Sequence, residues 1–171
     1  MVTHDRNEAL ALADRVAVLI DGKIRQTDTT KQVFSYPTDE TVANFVEAGN
    51  IWRGKIVEQN EGLATIETGS RQIEAVSNLK TGTNVTICLK FEDITLTLAG
   101  NQTQATSARN NFTGTINRIV NLGAQVRVTL DGGFPLTALI TRRSFEGLGI
   151  KEGLAATATF KATAIHLISR R

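Results

Sequence analysis

A single cysteine, Cys88, excludes an intramolecular disulfide and any multi-cysteine zinc or iron–sulfur site. Only two histidines are present, His4 and His166, too few for a histidine-based metal centre, and no metal site is expected. Aromatic residues make up 5% of the chain, which leaves no stacking platforms for single-stranded nucleic acid. Neither sign of charge dominates: 19 Lys and Arg against 17 Asp and Glu give a formal net charge of +2. A broad nucleic-acid footprint is therefore not expected, and nucleic acid is not a predicted partner. No apolar run approaches the roughly 20 residues of a membrane-spanning helix. The mixed acidic, polar and basic start does not read as a signal peptide, so an intracellular chain is expected. No Ser-His-Asp, Cys-His or paired-carboxylate arrangement has usable spacing. A Gly-x-x-x-x-Gly-Lys-Ser/Thr phosphate loop is missing, as is a Leu-Ser-Gly-Gly run, and the glycines sit in turns instead. Enzymatic activity of this chain alone is not expected.

What is present divides into an α/β start and two β-rich units. Asp5 can cap a helix, with Glu8 three residues on as a capping-box partner. Arg15 to Ile20 reads as a buried strand, Asp21-Gly22 as a tight turn and Lys23 to Gln26 as the returning strand. Thr29 or Thr30 can cap a short helix through Phe34, and Thr38 or Asp39 a further one through Val46, closed by Gly49 and Asn50. From Ile51 onward short apolar runs alternate with turns at Asn60-Glu61-Gly62, Thr68-Gly69-Ser70 and Thr81-Gly82-Thr83, an all-β pattern of about five strands. The polar tract 100–106 reads as a linker. From Ser107 the β pattern returns, interrupted by a short helix around Arg142 to Gly149.

The two β units look like copies. Asn50-Ile51-Trp52-Arg53-Gly54-Lys55-Ile56 parallels Asn110-Asn111-Phe112-Thr113-Gly114-Thr115-Ile116, Leu79-Lys80-x-Gly82 parallels Ile150-Lys151-x-Gly153, and Lys90-x-x-x-Ile94-x-Leu96 parallels Lys161-x-x-x-Ile165-x-Leu167. Trp52 and Phe112 fall at matched positions and read as core. Cys88 reads as a small buried hydrophobe.

Val2-Thr3-His4-Asp5-x-x-Glu8-Ala9 resembles the switch-histidine segment of an ABC-transporter ATPase, and Ala13-Asp14-Arg15-Val16-Ala17-Val18-Leu19-x-Asp21-Gly22-Lys23-Ile24 resembles the stretch next to that segment in the same family. Thr106-Ser107-Ala108-Arg109-Asn110, with Gly114 and the later Lys161-Ala162-Thr163, resembles the Mop or TOBE module of molybdate and tungstate proteins. The resemblance covers nearly the whole chain and implies the C-terminal part of a molybdate/tungstate importer's ATP-binding subunit. The fold it implies is mainly β: two tandem OB-like five-stranded small barrels behind a short α/β remnant of the ATPase domain. The expected boundaries are 1–49 for the remnant, 50–99 for the first unit, 100–106 for the linker and 107–171 for the second unit. His4 matches the switch histidine but lacks its partners, so it is not counted as catalytic.

A tetrahedral oxyanion wants many fixed donors and few full charges. Ser107, Arg109, Asn110, Lys161 and Thr163 have that chemistry. By resemblance to the Mop family, they would form a pocket at a subunit or unit interface. The backbones of Thr106, Ala108, Ala162, Gly123 and Ala124 would add donors. The plainer alternative is that Ser107 and Asn110 cap turns, Arg109 braces the fold and Lys161 is a solvated strand end. The first unit has Glu47-Ala48-Gly49-Asn50 and Lys90-Phe91-Glu92 at the matching places, and its carboxylates would repel an anion, so a complete pocket of its own is not expected.

The implied function is an oxyanion-sensing regulatory region, with molybdate or tungstate as ligand and no cofactor in the chain. ATP and Mg would belong to a complete ATPase. The alternative is an extension that dimerises an importer ATPase for sulfate, sugar or another substrate and binds no ligand. A homodimer or larger homo-oligomer through the β units is expected, because a unit of about 60 residues is marginal alone. The start of the chain should expose apolar surface around Ala9, Leu10, Val16 and Val18. In a complete transporter the partners would be membrane permease subunits, and the location cytoplasmic, peripheral to the inner face of the membrane.

Overall fold

A computed structural model describes residues 1–98 and 106–170. The expected linker, 100–106, therefore lies outside the described residues apart from Thr106. The chain begins with α1 (Arg6–Leu12), β1 (Arg15–Ile20), β2 (Lys23–Thr29), α2 (Thr30–Ser35) and α3 (Glu40–Phe45). Asp5 caps α1 by accepting from the Asn7 and Glu8 backbone N–H groups at 2.7 and 3.2 Å. Glu8 does not close a capping box; its carboxylate accepts from the Thr3 hydroxyl at 2.6 Å instead. Asp21 and Gly22 both take positive φ, 50° and 71°, which matches the twist of the β1–β2 hairpin. Thr29 and Asp39 cap α2 and α3 through their side chains.

The β-rich part has ten strands: β3 (Asn50–Asn60), β4 (Leu63–Thr68), β5 (Arg71–Val76), β6 (Asn84–Leu89), β7 (Thr95–Leu98), β8 (Asn110–Asn121), β9 (Gln125–Asp131), β10 (Pro135–Thr141), β11 (Ala155–Phe160) and β12 (His166–Ser169). A helix, α4 (Arg142–Leu148), separates β10 from β11; Thr141 caps it and Gly149 ends it in the left-handed region. This is the segment that the first unit lacks.

The expected pair of barrels is not what forms. The ten strands make two five-stranded antiparallel sheets, ordered β12-β6-β3-β4-β5 and β10-β9-β8-β11-β7, and neither closes into a barrel. The reason lies in the last strand of each unit. In a barrel that strand would return to its own unit. Here β7 pairs with β11, Leu98 against Ala156, and β12 pairs with β6, His166 against Cys88. Each sheet takes four strands from one unit and one from the other. Two edges of each sheet stay open as a result.

The exchange gives both sheets one hydrophobic core, which runs from Ile56, Ile66, Ile73 and Ile87 to Ile116, Val128, Leu130, Leu136 and Phe160. Phe134 meets both Trp52 and Phe112 edge to face, with centroids 4.9 and 5.1 Å apart, so an aromatic bridge joins the units. A second core lies on the outer side of β6 and β12. There Val18, Val33, Val42 and Ala43 pack with Cys88 and Ile168. Burial pushes the Cys88 thiol up to about 12, so it acts as a hydrophobe. Val18 is thus buried rather than exposed as expected, whereas Leu10, Leu12, Leu19 and Ile24 are exposed.

The internal repeat is visible in backbone detail. Both β3 and β8 carry a bulge at the same place, between Ile56 and Glu58 and between Ile116 and Arg118. Ile56 O accepts from Gly82 N–H and Ile116 O from Gly153 N–H, each at 2.8 Å. Gly54 and Gly114 occupy matched positions where the strand crosses its neighbour. A Cβ at Gly54 would stand 2.6 Å from the Ile66 side chain and 2.7 Å from Glu67 O, and one at Gly114 would overlap the Asp131 carbonyl.

Candidate functional site: a cleft between the two sheets

Each unit begins its first strand with an asparagine that reaches into the other unit. The Asn110 carboxamide accepts from Glu74 N–H at 2.8 Å and donates to Glu74 O at 2.9 Å. Asn50 does the same to both backbone groups of Thr137, at 2.8 Å each. Both asparagines are buried. A buried carboxamide is stable only when its donor and acceptor are both matched, and one extended residue matches both. These clamps fix β5 of the first unit beside the start of β8, and β10 of the second unit beside the start of β3. Asn110 is therefore spent on the clamp.

Beside the Asn110 clamp opens a cleft of about 800 Å³. Ser107, Arg109, Lys161, Ala162 and Thr163 line one wall, and the strands and turn of the first unit line the other. Two segments more than fifty residues apart in sequence thus line one cleft. Lys161 precedes a short 3-10 turn, Ala162–Ala164, which contains Thr163 and packs against β5. Thr106 lies one residue behind Ser107; its hydroxyl accepts from Ala108 N–H at 3.2 Å, which occupies that donor.

Three carboxylates also line the cleft: Glu58, Glu61 and Glu74. Against them stand Arg109 and Lys161. Glu74 Oε2 is buried with no hydrogen-bond partner among the described residues, and Arg109 Nε lies 3.4 Å from it. The sequence pattern marks repelling carboxylates at Glu47 and Glu92 and not these three. No local motif marks them, because β3, the β3–β4 turn and β5 bring them in from the other unit.

Gly123 and Ala124 do not join the cleft. They sit in the β8–β9 turn, where Gly123 N–H donates to Asn121 Oδ1 at 3.0 Å. Their carbonyls accept from Arg142 Nε and from Arg142 N–H. His4, at the exposed start of the chain, is likewise absent from the cleft lining.

At the place related to the cleft by the internal repeat, Phe91 stands where the second unit has Ala162, and the Arg127 guanidinium lies over its ring at 4.8 Å. Lys90, the counterpart of Lys161, donates to the Ser35 hydroxyl at 2.7 Å. The two repeat-related positions therefore differ in their side chains.

Residues 106–167 match the TOBE domain family, so the C-terminal part of the chain is TOBE-like. That segment supplies Ser107, Arg109 and the Lys161–Thr163 residues to the cleft, and the first unit supplies the carboxylates. Over 170 residues the chain is 39% identical to the molybdate/tungstate import ATP-binding protein WtpC of Pyrococcus horikoshii, covering 97% of this chain and 46% of that protein. It is 32% identical over 156 residues to the sulfate/thiosulfate import ATP-binding protein CysA of Mycolicibacterium paratuberculosis, covering 90% of this chain and 36% of that one. The chain spans about half the length, or less, of these curated relatives. A crystal structure of the cytoplasmic molybdate-binding protein ModG with molybdate bound is similar, with a TM-score of 0.61 and 26% identity, covering 71% of this chain and 96% of that one. The chain is therefore similar both to import ATP-binding proteins and to a cytoplasmic molybdate-binding protein. No helix among the described residues is long and apolar enough to cross a membrane.

Proposed function

We propose that the chain is an oxyanion-binding regulatory region of an importer's ATP-binding subunit, and that molybdate or tungstate binds in the cleft between the two sheets. The observation that carries this reading is the meeting of Ser107 and Arg109 with Lys161–Thr163 on one wall. Hydroxyls, one ammonium, one guanidinium and the N–H groups of the 3-10 turn are a donor set suited to a tetrahedral dianion. The similarity to WtpC and to molybdate-bound ModG supports the choice of anion. Ser107, the Lys161 ammonium and the Arg109 guanidinium bind the anion directly, and the backbone near Ala162 and Thr163 completes the contact. Asn110 holds the wall in place.

In the complete subunit, ATP hydrolysis belongs to the rest of the protein and this region reports internal oxyanion to it. Binding that favours one arrangement of two subunits gives a feedback brake on import, with coupling of about 1–3 kcal/mol. The partners are then permease subunits and a second copy of the chain, at the cytoplasmic face of the membrane. Calorimetric titration with molybdate, tungstate and sulfate tests the reading. Molybdate and tungstate bind, and Ser107→Ala or Lys161→Ala weakens each by about 2 kcal/mol. No heat from any of the three at millimolar anion overturns it.

A second reading has one observation in its favour. The cleft carries three carboxylates against two cations, and a dianion is poorly served by that balance. On that reading the region is a structural, dimer-forming extension. The same titration separates the two.

A further inference from the structure

The carboxylate of Glu74 stands in the place from which an anion would be bound. Its Oε2 is buried without a hydrogen bond among the described residues, and its close cation is Arg109, 3.4 Å away. That pair is weak, because the Glu74 side chain is 35% exposed, that of Arg109 is 62% exposed, and the one ion contact is long. The backbone of Glu74 cannot drift away, because Asn110 holds its N–H and its carbonyl together. Only the side chain is free to swing. Thr137 supplies the control. It occupies the repeat-related position, makes the same two backbone bonds with Asn50, and carries no charge. The clamp therefore needs an extended residue there but not an acid.

The geometry points to Glu74 as a tethered competitor for the anion: its carboxylate occupies Arg109 in the empty cleft, and an oxyanion binds by displacing it. This rests on the proposed oxyanion site and adds to it the residue that sets its affinity. The first unit thereby regulates a site whose donors belong to the second. Anion binding requires the Glu74 side chain to leave Arg109, so apparent affinity is the intrinsic affinity multiplied by the fraction of molecules in which Arg109 is free. The competition also sets selectivity. An anion that cannot gain enough from Ser107, Lys161 and Arg109 together does not displace the carboxylate, whereas a dianion that engages all three does.

The test is calorimetric titration of the full chain with molybdate, with thermal unfolding as a check on folding. Glu74→Gln and Glu74→Thr are compared with wild type, and Glu58→Gln serves as a charge control that removes a cleft carboxylate not paired with Arg109. Both Glu74 variants are expected to bind molybdate about fivefold more tightly than wild type, and Glu58→Gln to gain clearly less. In an Arg109→Ala background the gain from Glu74→Gln is expected to shrink to within about twofold, because the competition is for that guanidinium. Wild-type binding that Glu74→Gln leaves unchanged or weakens overturns the competitor role and leaves the oxyanion site standing. Equal gains from Glu58→Gln and Glu74→Gln, or a full gain without Arg109, also overturn it, by assigning the effect to general repulsion. Absence of binding in wild type and in both Glu74 variants overturns the oxyanion site itself, and this role with it.

Discussion

Glu40 is the residue that fastens the α/β start to the β-rich part. Its carboxylate accepts from Arg53 at 2.7 and 3.0 Å and from the Thr86 hydroxyl at 2.9 Å, and Arg170 lies 3.5 Å away. The Arg53 hydrogen bonds, with Thr86 behind them, hold the Glu40 carboxyl below its ordinary value of 4.5. A lowered value means that folding favours the ionised form. The contribution is present above the ordinary carboxylate range and drains away as the pH falls through the lowered value. Glu40→Gln is therefore expected to cost up to about 1 kcal/mol at pH 7, with the gap from wild type closing below about pH 4. Urea unfolding at several pH values checks this, and a gap that widens toward acid contradicts it. Gly114 is a second decisive residue. Gly114→Ala is expected to destabilise by about 3 kcal/mol or more, since the strand has to move off the Asp131 carbonyl. At this scale the sequence was informative where chemistry is local. The caps at Asp5, Thr29 and Asp39 and the turn at Asp21-Gly22 depend on neighbours within three residues. Glu74 was not legible as a cleft residue, because its significance comes from Arg109, thirty-five positions away and just before β8 of the other sheet.

Strands were legible as strands, and their partners were not. Alternating burial in β4 and β9, and the turns between strands, reflect periodicity and glycine placement. Periodicity says which face of a strand is buried but not which strand lies beside it. The exchange of β7 and β12 leaves no local mark: either strand would read the same in a barrel of its own. Its consequence is energetic. Because each sheet needs a strand from the other unit and both share one core, the units are expected to unfold together. Leu136→Ala in β10 should cost about 2–5 kcal/mol. It should also shift the unfolding seen by Trp52 fluorescence, in the other unit, by the same amount as that seen by far-ultraviolet circular dichroism. Two separate transitions would contradict the shared core.

Across the whole molecule, the exchanged strands, the asparagine clamps and the aromatic bridge turn a sequence repeat into one body with two unequal repeat-related positions. The repeat itself was legible, and so was the departure of the first unit from the oxyanion pattern. The stacking of Arg127 on Phe91 was not, because Arg127 comes from the opposite unit. Leu10, Leu12, Leu19 and Ile24 leave the α/β start with exposed apolar side chains, which in the proposed complete subunit are covered by the rest of the protein. On the proposed reading the cleft lined by Ser107, Arg109 and Lys161, and not its counterpart beside Phe91, holds an oxyanion. Tungsten scatters X-rays anomalously, so an anomalous map from crystals grown with tungstate locates the anion. One strong peak is expected in the cleft, within hydrogen-bonding reach of Ser107 and Lys161, with no peak beside Phe91. A fully loaded crystal with tungsten elsewhere, or with none in the cleft, would contradict it.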